Sequence, residues 1–116
     1  MKKGEKKPKM VYNIKYRALY DKNHKGRRRV FLTPKEGMLL MMFSNDGIIT
    51  YEDIKRVIYK DESEVTDKEK MKLRGLVCKL RKKLYTYRKE LVIYKNNKRT
   101  DARLGRYIMK GAVWLE

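Results

Sequence analysis

The chain has 116 residues, of which 32 are lysine or arginine and 14 are aspartate or glutamate, so that its formal net charge is +18. This length gives room for one domain with one hydrophobic core. Because a chain of such charge repels itself, its composition favours a polyanion, above all nucleic acid, as partner. An anionic membrane surface is the competing class, but no apolar run reaches the roughly 18 residues of a spanning helix.

The composition also excludes several kinds of site. Cys78 is the only cysteine and His24 the only histidine, so an internal disulfide is impossible and a zinc finger or zinc knuckle lacks ligands. No Ser/His/Asp set and no phosphate-cradling glycine loop is present, and we expect no enzymatic activity, no metal and no cofactor. No apolar region of a signal peptide follows the first residues, which predicts a cytoplasmic protein.

The chain begins with a basic stretch and then shows the pattern of strands. Residues 1–9 carry no apolar periodicity and are predicted to form a flexible tail ahead of a single domain over residues 10–116. From Val11 to Tyr20, apolar residues alternate with polar ones, which predicts one strand. A turn over residues 21–26 leads to a second predicted strand, Arg27 to Leu32.

Two helices follow, each with a recognisable start. Thr33-Pro34-Lys35-Glu36 combines a threonine cap, a proline at the first helical position and a glutamate that closes a capping box. The residues from Met38 to Phe43 are apolar nearly all round, so this first helix should be buried. A second helix is predicted from Tyr51 to Tyr59, with Lys55 and Arg56 pointing outward as candidate contacts to a DNA backbone.

The third predicted helix, Thr66 to Tyr85, is strongly basic and starts with a capping box between Thr66 and Glu69. At about 100° per residue, its apolar residues fall on one side. The other side carries cations around two small residues, and its candidate DNA contacts are Lys72, Arg74, Gly75, Cys78, Lys79, Arg81, Lys82 and Lys83. Such a helix has the shape to enter a groove of nucleic acid, although an amphipathic helix with a solvated basic face fits the same spacing.

An acidic segment precedes this helix and a hairpin follows it. For Asp61, Glu62 and Glu64 the residues favour a capping and charge-balancing role. Leu91 to Tyr94 and Arg106 to Met109 predict two strands around a polar tip. The basic residues of this tip are further candidate DNA contacts, namely Lys98, Arg99, Arg103 and Arg106. Residues 112–115 are predicted to add an edge strand or to pack a terminal tryptophan on the core.

This order of motifs resembles the OmpR/PhoB-type winged-helix effector domain, from about Val11 to Met109. The stretches that carry the resemblance are Leu32-Thr33-Pro34-Lys35-Glu36, Gly47-Ile48-Ile49-Thr50, Val77-Cys78-Lys79-Leu80 and Arg106-Tyr107. The resemblance implies an α+β winged helix-turn-helix fold, with an N-terminal antiparallel sheet, three helices and a C-terminal hairpin. It also implies that the third helix enters the major groove of DNA while the hairpin, or wing, reaches the neighbouring minor groove.

The same resemblance implies particular partners. Lys79 and Arg81 match basic positions of the family's recognition helix, and the acidic segment matches a loop that contacts RNA polymerase. Copies of such domains bind side by side on repeated half-sites, so a tandem homodimer on DNA is expected. Members usually carry a phosphorylatable receiver domain, which nothing before Val11 predicts, and we expect no regulation by phosphorylation.

We therefore predict sequence-specific binding of double-stranded DNA by a transcription regulator. Phosphate contacts should supply most of the affinity and base contacts the selectivity. One alternative is a small RNA-binding or ribosome-associated protein whose tyrosines stack on unpaired bases. Against it, Tyr12, Tyr16 and Tyr20 are predicted on the inner face of the first strand. A second alternative is a protein-interaction module that binds an acidic partner.

Overall fold

The computed structural model contains helices and short strands, and it describes residues 9–23, 29–45, 47–89, 91–95 and 107–116. The helices of this described part are α1 (Pro34–Asn45), α2 (Tyr51–Ile58) and α3 (Asp67–Tyr87). Its strands are β1 (Met10–Asn13), β2 (Ala18–Asp21), β3 (Val30–Phe31), β4 (Ile48–Ile49), β5 (Val92–Lys95), β6 (Tyr107–Lys110) and β7 (Val113–Leu115). The predicted α+β class is confirmed.

All three helices begin at a threonine cap, as predicted. At α1, the Glu36 N–H donates to Thr33 Oγ1 and the Thr33 N–H donates to Glu36 Oε1, over 3.3 and 2.9 Å. The same reciprocal pair joins Thr50 to Asp53 at α2 and Thr66 to Glu69 at α3. Each box satisfies backbone donors that the first turn leaves free. The other end of α3 lies at Tyr87, slightly beyond the predicted Tyr85.

The N-terminal sheet has the strand order β3-β2-β1-β7. The strands β1 and β2 are antiparallel, with Val11 opposite Tyr20, and β7 runs parallel to β1. The single strand predicted from Val11 to Tyr20 is therefore wrong. The chain turns at residues 14–17, where the Tyr16 N–H donates to Asn13 Oδ1 over 2.9 Å. Apolar and polar residues continue to alternate through this turn, so the sequence pattern did not indicate the break between the two strands.

The turn changes the position of the three tyrosines that were predicted on one inner face. Tyr12 is buried, Tyr16 is exposed in the turn, and Tyr20 lies partly exposed on the outer face of the sheet. The Tyr12 ring packs against α1 at Gly37, where a Cβ would overlap the Tyr12 hydroxyl. This close approach explains a glycine inside a helix that otherwise favours larger residues.

The second sheet has the order β4-β6-β5. Its strands β5 and β6 pair antiparallel, with Val92 opposite Lys110, so the predicted hairpin pairing is confirmed. The short β4, predicted as an extended link, pairs with β6. The predicted edge strand at residues 112–115 is also confirmed as β7, but the tryptophan is not packed on the core, because Val113 is buried and Trp114 is exposed.

The core lies where α1, α2 and α3 meet the inner faces of the two sheets. Its fully buried side chains include Leu40 of α1, Ile54 of α2 and Leu80 of α3. The Tyr51 and Tyr107 hydroxyls lie 2.8 Å apart and join α2 to β6, and burial raises the pKa of the Tyr107 hydroxyl. In the described ranges no helix has both the length and the apolar character needed to cross a membrane.

Candidate nucleic-acid interface

The outer face of α3 is set by the residues that bury its other side. Leu73, Val77, Leu80 and Leu84 lie in the core, and this seam directs the opposite side of the helix to solvent. Five of the predicted contacts are exposed there, namely Lys72, Arg74, Lys79, Arg81 and Lys82. Since α3 has 21 residues, it offers a rod about 31 Å long.

These five side chains carry charge that nothing on the helix compensates. Within the described part of the chain, none of them forms an ion pair with a carboxylate. The acidic residues of α3, Asp67 and Glu69, both lie in its first turn. Asp67 pairs with Lys70 over 3.6 Å and Glu69 with Lys55 over 2.9 Å. The outer face therefore presents a continuous positive surface to a polyanion.

Gly75 and Cys78 are small, so little side chain projects from the helix near the centre of this surface. A Cβ added at Gly75 would meet no atom within 4 Å, so the helix backbone is open to close approach there. Cys78 is partly exposed, and its Sγ accepts a hydrogen bond from Arg81 Nη2 over 3.6 Å. This contact helps to orient the guanidinium along the helix.

Tyr59 joins α3 to the start of α1 through two ammonium groups. Lys72 Nζ lies 4.7 Å from the centroid of the Tyr59 ring, and Lys35 Nζ lies 4.5 Å from it. Each contact is a cation–π interaction with the same ring. Lys35 thereby belongs to the positive surface, although its place in the capping motif of α1 gave no sign of this.

Lys83, predicted to contact phosphate, forms an ion pair within the protein, and its side chain is 38% exposed. Its Nζ donates to Glu36 Oε1 over 2.6 Å, and the Glu36 side chain is only 3% exposed. Burial alone would raise the pKa of Glu36, but the Lys83 ammonium and the Thr33 N–H outweigh it and hold this pKa below its ordinary value. The ion pair joins α3 to the first turn of α1.

The expectation that Lys55 points outward is wrong, and the predicted contact of Lys55 with the DNA backbone is therefore not supported. Lys55 is only 4% exposed. Its Nζ donates to Glu69 Oε1, Ser63 Oγ and the Glu64 carbonyl over 2.9, 2.9 and 3.0 Å. The segment between α2 and α3 folds back over the ammonium, and together with the first turn of α3 it supplies the oxygen acceptors that a buried charge requires.

Arg56, the other predicted backbone contact on α2, is exposed, and its Nη2 donates to Asp53 Oδ1 over 2.9 Å. The guanidinium and the carboxylate lie one turn apart on the same helix. Such an exposed pair is weak, so Arg56 remains accessible to a phosphate.

The acidic segment balances the charge of Lys55. Asp61 Oδ1 accepts from the Ser63 hydroxyl and N–H, and Asp61 Oδ2 lies 3.8 Å from Lys55 Nζ. The Ser63 hydrogen bonds, followed by the Lys55 charge, lower the pKa of Asp61. Glu62 and Glu64 have exposed side chains. The contact of this segment with RNA polymerase stays a prediction.

A groove with a volume of about 760 Å³ runs between β3 and the second half of α3. Its rim carries the cations Arg29, Lys79, Lys82 and Lys83. Arg29 was not among the predicted contacts, because only the fold places it on the same groove as the second half of α3. The groove extends the positive surface from α3 onto the N-terminal sheet.

The predicted wing contacts Lys98, Arg99, Arg103 and Arg106 lie outside the described residues. In the part that is described, no three His, Cys, Asp or Glu side chains lie close enough together to hold a metal ion. Comparison of the chain with protein-family models, curated proteins and solved structures finds no match.

Proposed function

We propose that the protein binds double-stranded DNA in a sequence-specific manner and regulates transcription. The observation that carries the proposal is the row of exposed lysines and arginines on α3 that have no carboxylate partner. Like charges grouped on one helix repel each other and lower the stability of the folded protein. A duplex supplies the missing negative charge and releases its own counterions on binding.

The shape of α3 suits the major groove. An α-helix with its side chains is about 10–12 Å across, close to the roughly 12 Å width of that groove. The open backbone at Gly75 lets α3 lie deep in it. We assign Lys72, Arg74 and Lys79 to base edges, and Arg81 and Lys82 to phosphates on the groove walls.

The hairpin supports a winged helix-turn-helix arrangement, because β5 packs beside α3. With α2 and α3 as the helix pair, the tip between β5 and β6 would reach the DNA next to the major groove. We assign the tip residues Lys98, Arg99, Arg103 and Arg106 to the minor groove or the backbone on the strength of their sequence alone.

The test is selection of bound duplexes from a random pool, followed by affinity measurements on a selected and a scrambled duplex. Lys79→Ala should weaken binding to the selected duplex by about 1–3 kcal/mol and to the scrambled duplex by much less. Lys22→Ala is the matched control, because Lys22 is an exposed lysine in the turn after β2. It removes the same charge far along the chain from α3.

Two outcomes would contradict the proposal. Selection that yields no motif would leave only charge-driven binding. If Lys79→Ala weakened both duplexes equally, or if Lys22→Ala had the same effect, a base contact by Lys79 would be rejected.

A further inference from the structure

The outer face of the N-terminal sheet carries a second surface with unusual chemistry. The pairing of β7, β1 and β2 places Trp114, Val11 and Tyr20 side by side in one row. Phe31 of β3 pairs with Ala18, two residues along β2 from Tyr20. Three aromatic side chains therefore share this face, with Tyr20 and Phe31 in a diagonal relation about 7–8 Å apart.

Two of these rings are open to solvent, and the third, that of Tyr20, is partly exposed. Phe31 is 65% exposed and Trp114 is 57% exposed, whereas Val11 between Trp114 and Tyr20 is only 2% exposed. The aromatic side chains thus cover the small residues of the face and present their own surface outward. Large exposed apolar groups that are grouped in this way mark a binding surface.

Cations lie over two of the rings. Lys9 Nζ is 5.1 Å from the centroid of the Trp114 ring, and Arg29 Cζ is 5.6 Å from the centroid of the Tyr20 ring. Arg29 also lines the groove beside α3, so the two surfaces meet at this residue. The combination of aromatic rings on one face and nearby cations suits a ligand that has both flat apolar groups and negative charge.

The charge of this face also distinguishes between two possible ligands, a second copy of this chain and an unpaired nucleic-acid strand. A second copy of this chain, packed face to face, would bring Lys9 and Arg29 against their own counterparts, in a protein whose net charge is already +18. Like charges that face each other across an interface disfavour association. An unpaired nucleic-acid strand instead offers bases for the rings and phosphates for the cations.

We propose that this outer face binds single-stranded nucleic acid by stacking unpaired bases on Trp114, Tyr20 and Phe31. Every base has a flat face, so stacking of this kind does not depend on sequence. A base that displaces Lys9 or Arg29 from a ring frees the cation for the adjacent phosphate, because cation–π contacts at exposed sites are weak.

Stacking of a base on a ring involves the flat face of the base and not the sugar, so we expect no discrimination between ribose and deoxyribose. The surface thus takes DNA and RNA strands alike, and it shares Arg29 with the groove beside α3.

Trp114 provides a direct test, because it is the only tryptophan of the chain. Addition of a thymidine oligodeoxynucleotide or a uridine oligoribonucleotide of equal length to the full chain should quench its fluorescence through stacking. A self-complementary hairpin duplex, whose bases are paired, should bind without this quenching. Binding of both single strands with unchanged Trp114 fluorescence would overturn the proposal.

Substitutions test the rings separately from the charge. Phe31→Ser should weaken binding of either single strand by about tenfold or more at constant salt. The aromatic replacement Phe31→Tyr should retain the affinity, and Tyr94→Ser, which removes an exposed ring from the second sheet, is the matched control. Equal losses for Phe31→Ser and Tyr94→Ser would reject the stacking surface.

Two further measurements keep this proposal distinct from that for α3. Lys79→Ala should leave the quenching by single strands intact, and Phe31→Ser should leave affinity for the selected duplex intact. If Phe31→Ser instead converts a dimer to a monomer in sedimentation experiments without changing affinity for single strands, the face joins two copies and the proposal is wrong.

Discussion

Two groups of lysines on this chain look alike in sequence and differ in what their ammonium groups contact. Lys55 and Lys83 are held by oxygen acceptors from other segments, at distances of 2.6 to 3.0 Å. In the described part of the protein, Lys79 and Lys82 have no carboxylate partner and face solvent. In a protein so rich in cations, the position of the acceptors distinguishes a structural lysine from one available to a ligand.

This difference separates two kinds of experimental effect. Removal of an internally paired ammonium should lower stability and leave the affinity of the folded protein for DNA unchanged. Removal of a solvent-facing ammonium on α3 should do the reverse. Each prediction below tests one part of this contrast.

The largest effect is expected for Lys55→Met, which should lower the free energy of unfolding by about 2–4 kcal/mol. The substitution keeps an apolar stem of similar length but leaves the segment between α2 and α3 without its central donor. Urea unfolding at neutral pH measures the change. The control Lys79→Met should stay within about 0.5 kcal/mol of wild type. Equal stability of the two variants would show that the buried ammonium does not hold the segment.

Adjacent residues provide the next comparison. Lys83→Met should cost about 1–3 kcal/mol of stability, because the buried Glu36 carboxylate loses its cation. Lys82→Met should leave stability unchanged and reduce the slope of log affinity against log salt by about 1. Unfolding curves and salt titrations of both variants decide the point. A reduced salt slope for Lys83→Met with no loss of stability would show that Lys83 contacts phosphate.

Two helical glycines differ in the space that is available to an added side chain. Gly75→Ala should raise the free energy of unfolding by up to about 1 kcal/mol, because alanine favours the helix and the added Cβ meets no atom. Gly37→Ala should lower it by about 1–3 kcal/mol, because the Cβ overlaps Tyr12. Thermal unfolding compares both with wild type. If the Gly75→Ala variant is more stable than wild type but binds duplex DNA more weakly, the backbone of α3 approaches the DNA closely. Unchanged affinity would argue that α3 lies less deeply in the groove.

The smallest effect concerns pH. Because the pKa of Glu36 is lowered on folding, its contribution to stability is fully present above its ordinary value of 4.5 and is lost as pH falls through the lowered pKa. Stability measured from neutral pH down to about pH 3 should fall more steeply for wild type than for Glu36→Gln. The other acidic groups are common to both proteins and cancel in the comparison. Parallel curves would mean that Glu36 is not linked to folding.

Much of the fold followed from local patterns. The threonine caps at Thr33, Thr50 and Thr66 were predictable because each capping box closes within one turn of the chain. The pairing of β5 with β6 was predictable from two apolar runs around a polar tip. The break after Asn13 was not, because the turn residues continue the alternation of a strand.

The candidate site was predictable in part. Helical periodicity placed Lys72, Lys79 and Lys82 on the outer face of α3, because the apolar seam opposite them was clear. The burial of Lys55 was not predictable, since its acceptors come from residues after α2 that fold back over it. The aromatic face was also hidden, because it depends on the register of strands from both ends of the chain.

By itself, the sequence determined the charge of this protein, the start of each helix and the basic side of α3, since all of these depend on composition or on neighbours a few residues apart. The tertiary structure alone decided that Lys55 and Lys83 pair with acceptors from distant segments, that Arg29 and Lys35 join the surface of α3, and that Trp114, Tyr20 and Phe31 share one face. These outcomes depend on contacts between distant segments, and a side chain's environment is known only when both partners are in place.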